Sequence, residues 1–123
     1  MEKKFMTLSN QETLAYLDIG RGKEVMVLVH GNMSSGIHYK PLIERFQNQY
    51  RIIAPDMRGF GDSSYKNEFD DLDVLADDLL LLLDELGIHE YHLAGWSTGG
   101  GVALKMAAKR PKEVKNLILI ESC

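Results

Sequence analysis

One serine in the chain is set among glycines. In "HLAGWSTGGG", residues 92–101, Ser97 has Gly95 two positions before it and Gly99 two positions after, with Gly100 and Gly101 following. The segment fits G-x-S-x-G, and it lies between an apolar, strand-like run and a helix-like one. A serine hydroxyl becomes a nucleophile once a base takes its proton, so attack on an electrophilic carbon is the chemistry to look for. A strand that turns into a helix through one residue forces that residue into a strained backbone conformation. The same turn brings the positions two before and two after it together, where side chains would collide. Glycine at 95 and 99 permits the turn and leaves the Ser97 hydroxyl clear of the sheet. A helix starting at Thr98 also points its first N–H groups at the site, favouring negative charge on a reacting oxygen. Gly100 and Gly101 are assigned to close packing of that helix on the sheet.

The elements that would position this serine follow from hydropathy. Residues 4–9 and 12–20 read as two short strands around a turn. Strands are also expected at 24–30, 50–56, 90–96 and 114–121; the first of these, "EVMVLVH", is the nearly continuous apolar run of a strand buried on both faces. Helices are expected over 38–48, 70–87 and 98–110. In the second, Asp70 or Asp71 caps the start, Gly87 closes the end, and Leu72, Leu75, Leu79, Leu82 and Leu86 form a core-facing stripe. Pro111 ends the third. Strands alternating with helices specify an α/β fold: three α/β/α layers with a mostly parallel sheet. Ligand sites in such sheets lie at the carboxyl ends of the strands. Three glycine-punctuated stretches fall on that edge: "HGNMSSG" (30–36), "DMRGFGDSS" (56–64) and "GWSTGG" (95–100).

Composition narrows the partners. The 123 residues carry a net charge of −4, which leaves no basic footprint for nucleic acid or an anionic membrane surface. No apolar run exceeds the length of Leu79–Leu83, too short to span a bilayer. The start, "MEKKFMTLSN", lacks the apolar stretch of a secretory leader, and the one cysteine, Cys123, cannot form an internal disulfide. A cytoplasmic location is the expectation. No cluster with metal-ligand spacing is evident, so no metal or cofactor is expected.

Taken together, His30-Gly31-Asn32, Asp56-Met57-Arg58-Gly59-Phe60-Gly61-Asp62-Ser63 and Gly95-Trp96-Ser97-Thr98-Gly99-Gly100 resemble the motifs of the α/β-hydrolase fold superfamily, of the serine-hydrolase, esterase-like type. The resemblance runs along essentially the whole chain. It implies that Ser97 is the nucleophile and that the backbone N–H groups of Asn32 and Thr98 form an oxyanion hole. Relatives with an aspartate nucleophile, such as epoxide hydrolases and haloalkane dehalogenases, carry Asp where this chain has Ser97. The implied substrate is a small carboxylic ester or related acyl compound, passing through an acyl-enzyme on Ser97. The alternative is a non-catalytic, receptor-like binder of small molecules with the same fold.

In this family an acid and then a histidine follow the serine in the chain. Residues 1–123 are therefore expected to form a partial domain, strands one to six, without the last strands, cap, acid and base, and with little turnover as it stands. Glu121, at the end of the sixth strand, is the candidate acid, with a plain loop carboxylate as the other reading. Of the four histidines, His30 is read as holding the adjacent loop by hydrogen bonds. His38 opens a helix, and His89 and His92 sit at the far end of the fifth strand. At about 3.3 Å per residue, His92 is about 15 Å from Ser97. Asp56, Arg58, Asp62 and Ser63 are assigned to tying their loop to its neighbours, with a substrate-facing role as the other reading; Met33, Phe60 and Trp96 are candidates to line a pocket, with simple packing as the other reading. The sixth strand, "NLILIE", would present an exposed apolar edge, suited to a dimer or a complementing chain.

Overall fold

The computed structural model describes residues 1–120; the candidate acid Glu121 lies outside the described residues. Six strands form one sheet in the order β1-β2-β4-β3-β5-β6. β1 (Lys4–Thr7) and β2 (Thr13–Ile19) form an antiparallel hairpin, and β2 runs antiparallel to β4 (Tyr50–Pro55). β3 (Glu24–Val29), β4, β5 (Tyr91–Trp96) and β6 (Val114–Ile120) are mutually parallel where they pair. The expected three-layer α/β/α class is the observed one.

Strand alternation builds a core on each face. On one side Leu28, Ile52 and Ala54 meet Tyr39 and Ile43 of the segment running from a 3-10 turn (Gly36–Tyr39) into α1 (Lys40–Phe46). The single helix expected over 38–48 is thus a 3-10 turn followed by a shorter α-helix, with Pro41 in the first turn of α1 where its missing N–H costs nothing. On the other side Val27, Val29, Ile53 and Leu93 pack under α2 (Leu72–Glu85) and α3 (Thr98–Lys109). Asp71 caps α2, accepting from the Val74 N–H, and Gly87 takes φ +70° just past its end. The buried stripe of α2 is broader than the expected leucine row, since Ala76, Leu80 and Leu83 are buried as well. β6 forms the outer edge, with Ile118, Leu119 and Ile120 exposed.

One charged network crosses this core. Asp78 sits on the buried stripe of α2, and Arg58 grips it with two bonds, Nε to Oδ2 at 2.9 Å and Nη2 to Oδ1 at 2.8 Å. Arg58 also donates to the Asn67 carbonyl at 3.0 Å and approaches Glu12 to 3.8 Å. The buried Glu12 carboxylate accepts from the Ser64 hydroxyl and from the N–H groups of Lys66 and Asn67. The network ties the β1–β2 hairpin, the loop after β4 and α2 into one frame. Removing Arg58 leaves two buried carboxylates without their cation, so Arg58→Met is expected to cost about 3–5 kcal/mol in urea unfolding.

Burial pushes the Glu12 carboxyl up, but its hydroxyl, N–H and Arg58 partners outweigh that and hold it below the ordinary carboxylate range. A group held low in the folded state contributes stability above its unfolded value, about 4.3 for Glu, and that stability is lost as pH falls through the folded value. Below about pH 4.3 the urea midpoint should therefore drop more steeply in the native chain than in Glu12→Gln.

Candidate functional site

Ser97 is where β5 stops and α3 starts, and its backbone carries the cost of that junction. It has φ 57° and ψ −121°, a conformation few side-chain-bearing residues adopt, and its side chain is exposed. The glycines explain how the chain tolerates it. A Cβ at Gly95 would lie 2.3 Å from the Gly99 carbonyl oxygen, and one at Gly99 would lie 2.3 Å from both the Val29 and His30 carbonyl oxygens. The crossing of β5, α3 and the end of β3 is closer than any side chain allows. The roles assigned to the next two glycines need correction. A Cβ at Gly100 would meet only ordinary contacts, whereas one at Gly101 would strike Leu72 of α2 at 2.8 Å, so Gly101 serves helix–helix packing and not helix–sheet packing.

The loop after β3 comes to the same edge. Val29 pairs with Gly95 in the parallel register, so Gly31 and Asn32 leave β3 beside the Ser97 turn. Gly31 has no room for a side chain there, because the Trp96 ring would be 2.8 Å from its Cβ. Asn32 and Met33 form the exposed tip, with Met33 at φ 58°. Among the described residues, neither the Asn32 N–H nor the Thr98 N–H has a hydrogen-bond acceptor. Thr98 is the first residue of α3, where the helix itself offers no acceptor. Two N–H groups without an acceptor among the described residues and an exposed hydroxyl therefore share one edge of the sheet.

His30 is fully buried, and its ring links this loop to the next. Nε2 accepts from the Met57 N–H at 2.9 Å, which puts the proton on Nδ1, 2.7 Å from the Gly31 carbonyl. Burial pushes the imidazole below its ordinary range, against the opposing pull of the Gly31 carbonyl and Asp56. It is a neutral bracket with both nitrogens engaged. His38 Nδ1 accepts from the Ser35 N–H at 3.3 Å and faces the Ser34 hydroxyl at 2.7 Å. With Tyr39, Trp96 and Ile120 it lines a cavity of about 300 Å³. His92 bonds Glu24 at 2.7 Å, and His89 stands between Asp84 and Glu113 at 3.8 and 3.7 Å. Among the described residues no histidine is hydrogen-bonded to Ser97. Of the pocket candidates, Trp96 lines the cavity. Phe60 instead stacks edge-on against His30, with ring centroids 5.4 Å apart. Met33 is 87% exposed at the loop tip.

The loop after β4 ties its neighbours together, as assigned. Ser63 Oγ donates to the Asp56 carbonyl and accepts from the Ala15 N–H, while the buried Asp56 carboxylate accepts from the N–H groups of Gly36 and Asp62. Asp78 and Glu12, the partners of Arg58, escaped the sequence reading. A charge on the stripe of Leu75, Leu79 and Leu82 was the available signal for Asp78; nothing local marks Glu12. One carboxylate–histidine grouping also escaped it: Asp84, His89 and Glu113, at the opposite end of the sheet. Arg110 lies among them with two bonds to Asp84, at 2.9 and 3.0 Å, so the grouping is already supplied with a cation.

The family described as alpha/beta hydrolase fold matches residues 24–123. The chain is 39% identical over 106 residues to the dihydrolipoyllysine-residue acetyltransferase component of an acetoin cleaving system from Pseudomonas putida, covering 84% of this chain and 28% of that protein. It is 35% identical over 107 residues to epoxide hydrolase 4 of Mus musculus, covering 81% of this chain and 28% of that protein. The structure of a thermophilic esterase from Thermogutta terrifontis superposes with a TM-score of 0.87 at 32% identity, over 97% of this chain and 45% of that one. The chain thus spans less than half the length of each. No helix among the described residues is long and apolar enough to cross a membrane.

The geometry of the turn makes one strong demand on sequence. Gly99→Ala places a methyl group against two backbone oxygens that cannot move without shifting β3. It should cost about 3 kcal/mol in denaturant unfolding, whereas Gly100→Ala should be close to neutral.

Proposed function

The chain belongs to the alpha/beta hydrolase fold family, and from that premise we propose that Ser97 is the nucleophile of a serine hydrolase acting on a carboxylic ester or related acyl compound. The observation that carries this reading is the strained, exposed Ser97 at the strand-to-helix turn, held by glycines that leave room for nothing else. Strain of 1–3 kcal/mol, about the usual cost of such a conformation, persists where the surroundings over-determine it, and such outliers cluster at active sites. Serine at this position favours acyl transfer over the carboxylate-nucleophile chemistries of the same fold.

In this mechanism Ser97 Oγ attacks the acyl carbon as a base takes its proton. Negative charge collects on the former carbonyl oxygen. The N–H groups of Asn32 and Thr98 and the positive end of α3 are the partners that stabilise it. Collapse breaks the bond to the leaving alkoxide, which receives the proton, and leaves an acyl-Ser97 ester. Water then attacks that ester with the same base assisting, releasing the acid and restoring the hydroxyl. Two fixed donors of this kind are worth several kcal/mol, about 3 each by analogy with measured removals. His30 is not the base, since both its nitrogens are occupied in holding the loop.

A fluorophosphonate probe read by intact mass tests the reading. The folded chain should gain one adduct and Ser97→Ala none. With no histidine on Ser97 among the described residues, labelling should be slow and should accelerate on addition of imidazole as an external base. A folded chain that takes no adduct even with imidazole would overturn the assignment.

A further inference from the structure

The loop that carries Asn32 is anchored at both ends to the carboxyl end of β4. Upstream, His30 receives the Met57 N–H. Downstream, the Gly36 N–H donates to Asp56 Oδ1 at 2.7 Å. The second anchor depends on a fully buried carboxylate. Its other oxygen, Oδ2, accepts from the Asp62 N–H at 3.0 Å and from Lys3 Nζ at 2.6 Å. Lys3 reaches Asp62 Oδ2 as well, at 2.8 Å.

Backbone closes the surroundings of this carboxylate. A Cβ at Gly36 would lie 2.4 Å from the Ala54 carbonyl oxygen, and one at Gly61 would lie 2.2 Å from Asp56 Oδ2 itself. The carboxylate therefore has little room to turn and find another partner. Among the described residues, Lys3 is the one cation in contact with it. Lys3 is itself largely covered, its side chain 17% exposed. Burial opposes the charge on its ammonium, but the bonds to Asp56 and Asp62 outweigh that and raise it above the ordinary lysine range.

We propose that Lys3 is a positioning residue for the candidate oxyanion loop, acting through Asp56 on the Gly36 N–H. It precedes β1, 53 residues from Asp56 in the chain and outside every motif of the site. Its ammonium supplies the charge that lets a buried carboxylate stay in place. The carboxylate fixes Gly36, and Gly36 with His30 fixes the span that holds the Asn32 N–H. A donor displaced by about 1 Å at a reacting centre can cost about a hundredfold in rate, so a salt bridge remote from Ser97 has leverage on it. The catalytic consequence rests on the reading of Ser97 and Asn32 given above; the anchoring of the loop does not.

Lys3→Met keeps the aliphatic stem and removes the charge, and Lys3→Arg keeps the charge. Amide hydrogen exchange read residue by residue tests the anchor. In Lys3→Met the Gly36 and Asp62 amides should exchange at least about tenfold faster, with Leu28 and Ala94 unchanged, and Lys3→Arg should restore most of the protection. Fluorophosphonate labelling tests the consequence: the maximal rate on Ser97 should fall about tenfold in Lys3→Met, with the probe concentration for half-maximal rate unchanged, and recover in Lys3→Arg. Unchanged exchange at Gly36, or a rise shared equally by Leu28 and Ala94, overturns the proposal, as does full labelling despite a loosened Gly36. If Ser97 of the native chain is not labelled even with imidazole while Gly36 exchange depends on Lys3, the nucleophile assignment fails and the anchoring stands.

Discussion

Everything at the candidate site depends on one close approach. The carbonyl oxygens of Val29 and His30 lie where a side chain at residue 99 would be, and the Gly99 carbonyl lies where one at residue 95 would be. β3, β5 and the first turn of α3 therefore meet backbone to backbone. That contact forces the turn to be abrupt, and the abruptness puts Ser97 at φ 57° with its side chain outside the sheet. The same contact brings the Asn32 loop beside the start of α3, because β3 and β5 are neighbours in register. Exposure of the hydroxyl, alignment of the helix N-terminus and proximity of the second loop are three results of one steric fact.

A turn under strain needs a rigid surround, and here much of the rigidity is ionic. Glu12, Asp56 and Asp78 are buried carboxylates, each met by a cation and by N–H or amide donors. Such pairs contribute modest net stability, since desolvation offsets much of the attraction. Their directional bonds do something apolar packing does not: they fix loops that have no ladder of their own. The segment from Asp56 to Asn67 has no regular structure, yet its backbone is bonded to the hairpin, to Glu12 and to Asp56 along its length.

The parts of this arrangement legible in the sequence are those governed by local rules. Strand and helix periods, the Asp71 cap, Gly87 beyond α2 and the Gly95–Ser97–Gly99 spacing each follow from contacts within a few residues. The departures share the opposite cause. Gly101 packs on Leu72, which belongs to a helix that no local pattern places beside it. The helix expected over 38–48 begins as a 3-10 turn because Tyr39 reaches across to donate to the Val29 carbonyl, and His38 is held back by Ser34 and Ser35. Lys3 with Asp56, and Glu12 with Arg58, join segments about fifty residues apart, and neither pair has a periodicity to betray it. Only Asp78 advertised itself, as a charge on an apolar stripe.

The division extends to the chemistry. A nucleophile at a sharp turn and a donor at a helix N-terminus are properties of a short segment, so one motif can encode both. A general base is different: it must approach the serine from another part of the fold, and its identity depends on topology. The histidines illustrate the point. His30 is the one nearest the site in sheet register, and its two nitrogens are spent on Gly31 and Met57. Freeing either nitrogen to serve Ser97 would unfasten the loop that carries Asn32, so the residue cannot be both bracket and base. Under the proposed reading, binding of the developing charge falls to backbone groups that the β3–β5–α3 crossing sets in place, and His30 stays with the loop it fastens.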